Sequence, residues 1–214
     1  MKFPNKLVNP ERVWFMSDLH YGHENILKFN NGRPFKDVTE MNEYILQTLK
    51  DTLEPEDILF DLGDLFWKTE QSEMEALCNL LPKQTYKIIG NHDKERLYYS
   101  GGILQRYFKL TADLLDINLK MGDEEIQLTL SHYPILEWNH KYHGSLNIHG
   151  HCHGNIDSLN NSSKIDLRMD IGFDSEVAKR EGSFLIPLET IIAEAKKKTY
   201  GLSFRTWSKH MLEG

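Results

Sequence analysis

The sequence predicts an α/β fold in which two sheets pack face to face with helices outside, and three observations support this. The first half alternates between strand and helix patterns as far as Gly90. The second half is a series of short extended runs separated by turn residues. No linker-like stretch divides the halves, and residues suited to metal binding follow strands in both. We therefore expect one domain over residues 1–214, with its site where both sheets end.

Strands of the first half are predicted from short apolar runs that end in polar residues, and helices from amphipathic stretches. Asp37 is expected to cap the longest helix, and Pro55 and Pro82 are expected to end helical units. Strands are predicted over 13–16, 57–60 and 85–89, and helices over 24–29, 37–50 and 70–81. This alternation favours a parallel sheet with right-handed crossovers.

The second half is predicted to be rich in strands, because short apolar runs alternate with turn signals such as Met121-Gly122-Asp123. A helix is expected at its end. Extended segments are predicted over 107–110, 114–119, 125–130, 146–149, 165–171 and 183–186, and the helix over 187–198.

Composition and charge are those of a globular protein without a broad surface for nucleic acid. Of the 214 residues, 40% are hydrophobic and 27% charged, which suits a domain with a sizeable core. The formal net charge of -7 argues against extended nucleic-acid binding by counterion release. A small nucleotide or a strand end could still be held locally.

Cysteine usage and the N-terminal sequence predict a cytoplasmic protein. Cys78 and Cys152 are too few for a disulfide framework. Cys152 is expected to turn away from the histidines on either side of it, and we do not expect it to bind a metal. The sequence contains no pattern of a signal peptide or membrane span, so a reducing compartment without membrane contact is expected.

Residue types that commonly bind metals follow the ends of five predicted strands. An extended segment would turn Asp18 and His20 to one side, and the same spacing recurs later in the chain. Gly63 has no Cβ, so Asp64 beyond it is expected to approach closely. The candidate ligands are Asp18, His20, Asp64, Asn91, His132, His151 and His153.

This donor set predicts a pair of divalent ions. Mixed carboxylate and imidazole donors suit Mn, Fe or Zn better than Mg or Ca. Seven candidates suit two ions that share a carboxylate about 3.5–4 Å apart. The positive charge of two divalent ions exceeds the negative charge of Asp18 and Asp64, so the metal-loaded pocket would attract a phosphate. A hydroxide made by the metals is the expected nucleophile. His92 would protonate the leaving oxygen or stabilise the developing charge, with Asp93 holding its ring.

These motifs resemble those of a known family. Over about residues 13–172 the chain carries, in order, Asp18-x-His20, Gly63-Asp64, Gly90-Asn91-His92-Asp93, His132 and Gly150-His151-x-His153. In this respect it resembles the calcineurin-like metallophosphoesterase superfamily. The resemblance implies a four-layer αββα sandwich of two mixed sheets flanked by helices. It also implies a dinuclear site, with manganese the first expectation and iron or zinc as alternatives.

The resemblance further implies how the ligands divide between the ions. One metal would take Asp18, His20 and His153 together with Asp64, which is shared. The other would take Asp64 with the remaining ligands, Asn91, His132 and His151. His92 falls on the family's leaving-group acid or transition-state stabiliser.

Two departures from the family pattern bear on the substrate. Protein serine/threonine phosphatases of the superfamily have Asp-Arg-Gly and Glu where this chain has residues 65–67 and Asp93. These departures argue against a phosphoprotein substrate. Residues 18–35 more closely resemble a small bacterial and phage-type branch, whose substrates the resemblance does not supply.

Three residues near the first motif are candidates for substrate binding. His23 and Asn25 begin the first predicted helix, where they would either contact a phosphate or only cap the helix. Arg33 would either bind a phosphate through two hydrogen bonds or pair with a core carboxylate.

A loop over 134–145 joins two ligand strands and is expected to overhang the site. Its Trp138 and Tyr142 would either stack on a nucleobase or pack within the loop. Asp170 and Asp174 flank Gly172 and are expected to support His153.

The leading hypothesis is a phosphoesterase acting on a phosphomonoester or phosphodiester of a small substrate, with a nucleotide as the first expectation. A second hypothesis keeps this chemistry but assigns a nuclease acting on single-stranded nucleic acid ends. A third is a non-catalytic binding scaffold of the same fold, which would be expected to have lost ligands. Oligomeric state and the preference between monoesters and diesters stay open.

Overall fold

Two five-stranded sheets form the framework of the protein in its computed structural model, which describes residues 6–29, 32–122, 124–162 and 166–199. The strands are β1 Lys6–Leu7, β2 Val13–Met16, β3 Ile58–Asp61, β4 Gln84–Ile88, β5 Leu110–Ala112, β6 Leu114–Met121, β7 Glu124–Ser131, β8 Leu146–His149, β9 Arg168–Asp170 and β10 Ile186–Pro187. The first sheet has the order β1-β6-β7-β8-β9 and the second the order β10-β2-β3-β4-β5.

Both sheets are mixed. In the second sheet β2, β3, β4 and β5 are parallel, and β10 is an antiparallel edge strand. In the first sheet β7, β8 and β9 are parallel, while β6 pairs antiparallel with β7. The carboxyl ends of the parallel strands therefore lie together at one end of each sheet, where ligand sites of α/β proteins form.

Helices flank both sheets. The α-helices are α1 Val38–Thr52, α2 Gln71–Cys78, α3 Glu95–Tyr98, α4 Asp157–Ser162, α5 Glu176–Glu181 and α6 Leu188–Lys198. Helices α1 and α2 lie against the second sheet, and α4 lies beside β9 of the first. As predicted, Asp37 caps α1, because its carboxylate accepts a hydrogen bond from the N–H of Glu40 at 3.0 Å.

The inner faces of the two sheets enclose one apolar core. Phe15 and Phe60 of the second sheet stack with ring centroids 5.1 Å apart. They belong to the same buried cluster as Leu128 and Ile148 of the first sheet. A second cluster fills the space between the outer face of the second sheet and helices α1 and α2. Two mixed sheets flanked by helices confirm the predicted fold class.

Most predicted elements are present, and the differences have local causes. The first predicted helix is a 3-10 helix over Glu24–Lys28, and residues 30 and 31 beyond it lie outside the described residues. The predicted strand over 107–110 starts only at Leu110, because residues 105–107 form a 3-10 turn. Ile165 of another predicted strand also lies outside the described residues. Helices α3, α4 and α5 and strand β1 were not predicted, since they are short and lack a clear apolar period.

No helix among the described residues is both long and apolar enough to cross a membrane. Cys78 and Cys152 are free thiols. Cys152 is absent from the groups of side chains that could hold a metal within the described part of the chain.

Candidate metal centre

Parallel strands of both sheets end at the candidate site. Strands β2 and β3 of the second sheet lead to Asp18 and Asp64, and β8 of the first sheet leads to His151. The sheets are joined here, since the backbone N–H of His151 donates to the Asp18 carboxylate at 2.9 Å to Oδ2 and 3.1 Å to Oδ1. The site is therefore part of the contact between the two sheets.

The expectation of extended ligand pairs was wrong, because five of the candidate ligands have a left-handed backbone. Aspartate and histidine tolerate this conformation better than most residues, at a cost of about 1–3 kcal/mol each. Backbone hydrogen bonds hold it, for example from Asp18 N–H to Gly63 O at 2.9 Å. The φ angles are 57° at Asp18, 50° at His20, 56° at Asp64, 67° at His151 and 49° at His153.

Glycines give the ligands room, although not in the way we predicted. We expected Gly63 to make space for Asp64, but a Cβ on Gly63 would instead meet Nδ1 of His132 at 2.5 Å. The Asp64 carboxylate lies against Gly90, where a Cβ would overlap its Oδ1. Gly90 is therefore the residue whose missing side chain lets Asp64 approach the next strand end.

Asp18, His20 and His153 form a first ligand group. Their donor atoms all lie within 4.8 Å of one another. Nε2 of His153 lies 3.9 Å from Oδ1 of Asp18, and Nε2 of His20 lies 3.6 Å from Oδ2 of Asp64. Burial raises the pKa of Asp18. A nearby cation would stabilise the ionised form of this buried carboxylate.

Asn91, His132 and His151 form a second group beside Asp64. Oδ1 of Asn91 lies 2.9 Å from Nε2 of His132 and 2.8 Å from Nδ1 of His151. Nε2 of His132 lies 3.4 Å from Oδ2 of Asp64. Burial raises the pKa of Asp64, but bonding and attraction to His132 lower it well below its usual range. Because His20 and His132 both contact its Oδ2, Asp64 is placed as a shared ligand would be.

The donor atoms fit metal ions. Both ring nitrogens of His20 are buried without a hydrogen-bond partner, which is rare for buried polar atoms. Burial lowers the pKa of His20 to about 3, so the ring is neutral and can offer a lone pair to a metal. Two carboxylates, one amide oxygen and four imidazoles are a donor set suited to two divalent ions.

Arg33 is not placed as the substrate-binding residue named among the candidates: of the two alternatives considered for it, pairing with a core carboxylate is the one observed. Its side chain is buried and forms a fork with Asp174, from Nε to Oδ1 at 3.0 Å and from Nη2 to Oδ2 at 2.9 Å. It also donates to the carbonyl oxygens of Asp18 and Leu19, each at 2.7 Å. With a further contact to the sulfur of Met41, all five guanidinium N–H groups are used.

Asp174 contacts both Arg33 and His153, the last candidate ligand in the sequence. Oδ2 of Asp174 lies 2.7 Å from Nδ1 of His153, as expected for a carboxylate that orients a ligand histidine. Asp170 does not share this role, since its carboxylate accepts hydrogen bonds from the N–H groups of Gly154 and Gly172.

His92 is exposed beside the ligands, but Asp93 does not hold its ring as we predicted. The ring centroid of His92 lies 5.3 Å from that of His20 and 4.7 Å from that of Trp67. The Asp93 carboxylate points the other way, into the protein, where it accepts hydrogen bonds from backbone N–H groups and from Tyr98. The turn at Gly90 therefore separates the two side chains onto opposite sides.

His23 lies near the site, whereas Asn25 does not join it. The His23 ring is buried against Trp67, with centroids 4.2 Å apart, and its Nδ1 has no hydrogen-bond partner. His23 occupies the N-cap position of the 3-10 helix without a side-chain capping bond. Asn25 is exposed, and no hydrogen bond connects it with the ligand groups in the described ranges.

The loop over 134–145 packs on itself. Trp138 is buried, donates from Nε1 to the Ser145 carbonyl at 3.2 Å, and lies under Nζ of Lys141 at 5.0 Å. The Tyr142 hydroxyl bonds to Glu137. Of the two alternatives considered for these aromatics, packing within the loop is the one observed.

Sequence patterns missed four residues that the structure places at the site. Trp67 and Tyr133 border the ligand groups, and Lys87 and Asp61 lie beneath them. The one signal available was Lys87 itself, a charged residue inside the apolar run 85–89.

A family model described as calcineurin-like phosphoesterase matches residues 11–197. The chain belongs to this family. Membership supports metal-dependent hydrolysis of phosphoesters in general and implies divalent metal ions. The described residues contain two groups of side chains that could hold such an ion, Asp18 with His20 and His153, and Asp18 with Asp64 and His132.

Relatives of this family member include phage, archaeal and bacterial proteins. The gene 66 protein of Mycobacterium phage D29 is 25% identical over 183 residues, which cover 76% of this chain and 89% of that protein. An uncharacterized Methanocaldococcus jannaschii protein, MJ1445, is 37% identical over 84 residues, or 39% of this chain. That match spans about half, 47%, of the archaeal protein.

A solved structure shares the fold. The Aquifex aeolicus protein AQ665, titled as a protein of unknown function, superposes with a TM-score of 0.60 at 26% sequence identity. The match covers 85% of this chain and 97% of the Aquifex chain. Together with the phage proteins it fits the small bacterial and phage-type branch of the family.

Proposed function

We propose that the protein hydrolyses a phosphoester bond of a small phosphorylated substrate, a nucleotide, with two divalent ions held by the two ligand groups. The observation that carries this proposal is the meeting of both groups at Asp64 with His92 exposed beside them. When bound, such ions lower the pKa of water and polarise a phosphoryl oxygen. Manganese is the metal we would test first, since its ligand preferences include these donors.

The chain's own residues would supply the ligands and the proton. Asp18, Asp64 and their histidine neighbours would fix the ions, and Asp174 would hold the ring of His153. His92 is absent from the two ligand groups and is exposed, so it is free to donate a proton to the leaving oxygen. No serine or cysteine nucleophile is required.

Two aromatic side chains beside the ligands support a nucleotide as the substrate. The Tyr133 ring, 50% exposed, has its centroid 4.5 Å from that of His151 and 5.2 Å from that of His132. Trp67 lies beside His92, next to the first ligand group. A base attached to a phosphate in this site would reach one of these rings and stack on it.

The proposal predicts faster hydrolysis of nucleotides than of phosphates without a planar group. Manganese-loaded protein would be assayed at pH 6–9 with nucleoside monophosphates, cyclic nucleotides, glycerol phosphate, p-nitrophenyl phosphate and its bis ester. We expect Tyr133→Ala to lower kcat/KM for the best nucleotide about 5- to 150-fold, corresponding to about 1–3 kcal/mol of stacking. Its effect on glycerol phosphate should be small.

Tyr142→Ala is the matched control, because Tyr142 is also exposed but bonds to Glu137 within its loop. It should leave both substrates unaffected. Inactivity of the loaded protein on every ester would reject the phosphoesterase proposal itself. Hydrolysis that prefers single-stranded oligonucleotides would instead favour a nuclease.

A further inference from the structure

A buried lysine lies beneath the candidate metal centre and is not explained by the roles given so far. The side chain of Lys87, on β4, is fully buried. Its Nζ lies 2.8 Å from Oδ2 of Asp61 and 2.8 Å from Oδ2 of Asp93. It also lies 5.1 Å from the ring centroid of Tyr98. Burial lowers the pKa of Lys87, but the two aspartates raise it overall, so the side chain carries a positive charge.

The two carboxylates that share Lys87 bind the backbone of both ligand-bearing turns. Oδ2 of Asp93 accepts hydrogen bonds from Gly90 N–H at 2.9 Å and from Asp64 N–H at 3.0 Å. Oδ1 of Asp93 accepts one from Leu65 N–H at 3.3 Å. Asp93 therefore connects the turn after β3, which carries Asp64, with the turn after β4, which carries Asn91 and His92.

Asp61 adds a fourth backbone contact on the same side. Its Oδ1 accepts a hydrogen bond from Gly63 N–H at 3.0 Å, while its Oδ2 contacts Lys87. The turn after β3 is therefore fixed at three successive residues, Gly63, Asp64 and Leu65. Fixing them matters because Asp64 has a left-handed backbone with φ of 56°, a conformation that needs support from its surroundings.

Charge balance explains why a lysine is required at this position. Asp61 and Asp93 are both buried, and two buried carboxylates close together repel each other unless a cation lies between them. Without the ammonium group the two carboxylates would move apart or one of them would take up a proton, and either change would weaken the acceptors of the backbone N–H groups.

We propose that Lys87 is a positioning residue of the metal centre, which holds Asp61 and Asp93 so that their oxygens fix the turns of Asp64 and Asn91-His92. Among the described residues, the charged contacts of Lys87 are with Asp61 and Asp93, and its aromatic contact is with Tyr98. Its effect on metal binding passes through the two carboxylates and four backbone N–H groups.

The test is manganese affinity measured without substrate, so it does not depend on which ester the protein hydrolyses. Isothermal titration would give the affinity, and electron paramagnetic resonance would report whether two bound ions are spin-coupled. We expect Lys87→Met to weaken manganese binding about 10- to 100-fold, as losses of groups that orient metal ligands do. The spin-coupled signal should weaken with it.

Lys141→Met is the matched control. Lys141 is also a buried lysine that contacts two carboxylates, Glu137 and Asp166, and an aromatic ring, but it lies in the loop over 134–145. The Lys141→Met substitution should lower the urea midpoint of the metal-free protein. It should leave the manganese affinity within twofold of that of the unaltered protein. If Lys87→Met also lowers only the midpoint, Lys87 is a core ion pair and the proposal is overturned.

A second variant covers the case in which Lys87→Met does not fold. Asp93→Asn keeps the side-chain volume and the Lys87–Asp61 pair, but it places an amide group among N–H donors. We expect manganese affinity to fall at least 10-fold. Manganese binding as tight as in the unaltered protein would refute the proposal.

Discussion

Replacing His92 with asparagine is expected to lower kcat about 10²- to 10⁴-fold, the usual contribution of a general acid, while both ligand groups keep their ions. The ring of His92 is exposed and absent from those groups. Its backbone N–H, which donates to Oδ1 of Asp64 at 2.8 Å, is unchanged by the substitution. The measurement is kcat together with the manganese content of the variant.

The leaving group distinguishes an acid from a residue that only shapes the pocket. A p-nitrophenolate needs little protonation, so the loss should be smaller for p-nitrophenyl phosphate than for an alkyl phosphate. His143→Asn, at an exposed histidine of the loop over 134–145, should change neither rate. Equal losses on both esters, or loss of manganese, would count against His92 as the proton donor.

Replacing Arg33 with methionine is expected to destabilise the protein by about 3–5 kcal/mol, the usual cost of removing one partner of a buried ion pair. The Asp174 carboxylate would lose both hydrogen bonds from the guanidinium group, and the carbonyl oxygens of Asp18 and Leu19 would lose their donors. Because total stability is about 5–15 kcal/mol, a large part of it would be lost. Urea unfolding of the metal-free protein measures this change.

Arg180→Met is the control for Arg33. Arg180 also contacts two carboxylates, Glu176 and Glu194, but it is exposed. Exposed ion pairs contribute about 0–1 kcal/mol, so this substitution should shift the midpoint little. Similar losses for both arginines would contradict the role we give to Arg33.

Acid unfolding offers a second readout of the same pair. Burial raises the pKa of Asp174, but His153 and Arg33 lower it from 3.8 to about 2. A carboxyl group whose pKa is lower in the folded state contributes stability above pH 3.8, and this contribution is lost as the pH falls toward 2. Arg33→Met removes part of that shift, so the variant should unfold at a higher pH than the unaltered protein.

The site could be predicted from the sequence because it depends on strand ends. Parallel strands of one sheet finish at the same edge, so Asp18, Asp64 and Asn91 had to lie near one another once their strands were recognised. The fold class followed from the same patterns, and the cap at Asp37 fixed the start of α1. These features depend on residue order and period alone.

Side-chain directions could not be predicted in the same way. The direction of a buried charged side chain depends on which other buried charges need a partner. In this way Arg33 faces Asp174 and not a phosphate, and Asp93 faces Lys87 and not His92. A local pattern contains no information on partners that are distant in sequence. The left-handed backbone at Asp18 was missed for a similar reason, since Gly63 of another turn supplies the bond that holds it.

Anomalous diffraction from crystals grown with manganese tests the central claim most directly. We predict two peaks about 3.5–4 Å apart, one next to His20 and His153 and the other next to His132 and His151, with Asp64 contacting both. A single peak, or peaks that lie away from Asp64, would contradict the account of a two-metal phosphoesterase.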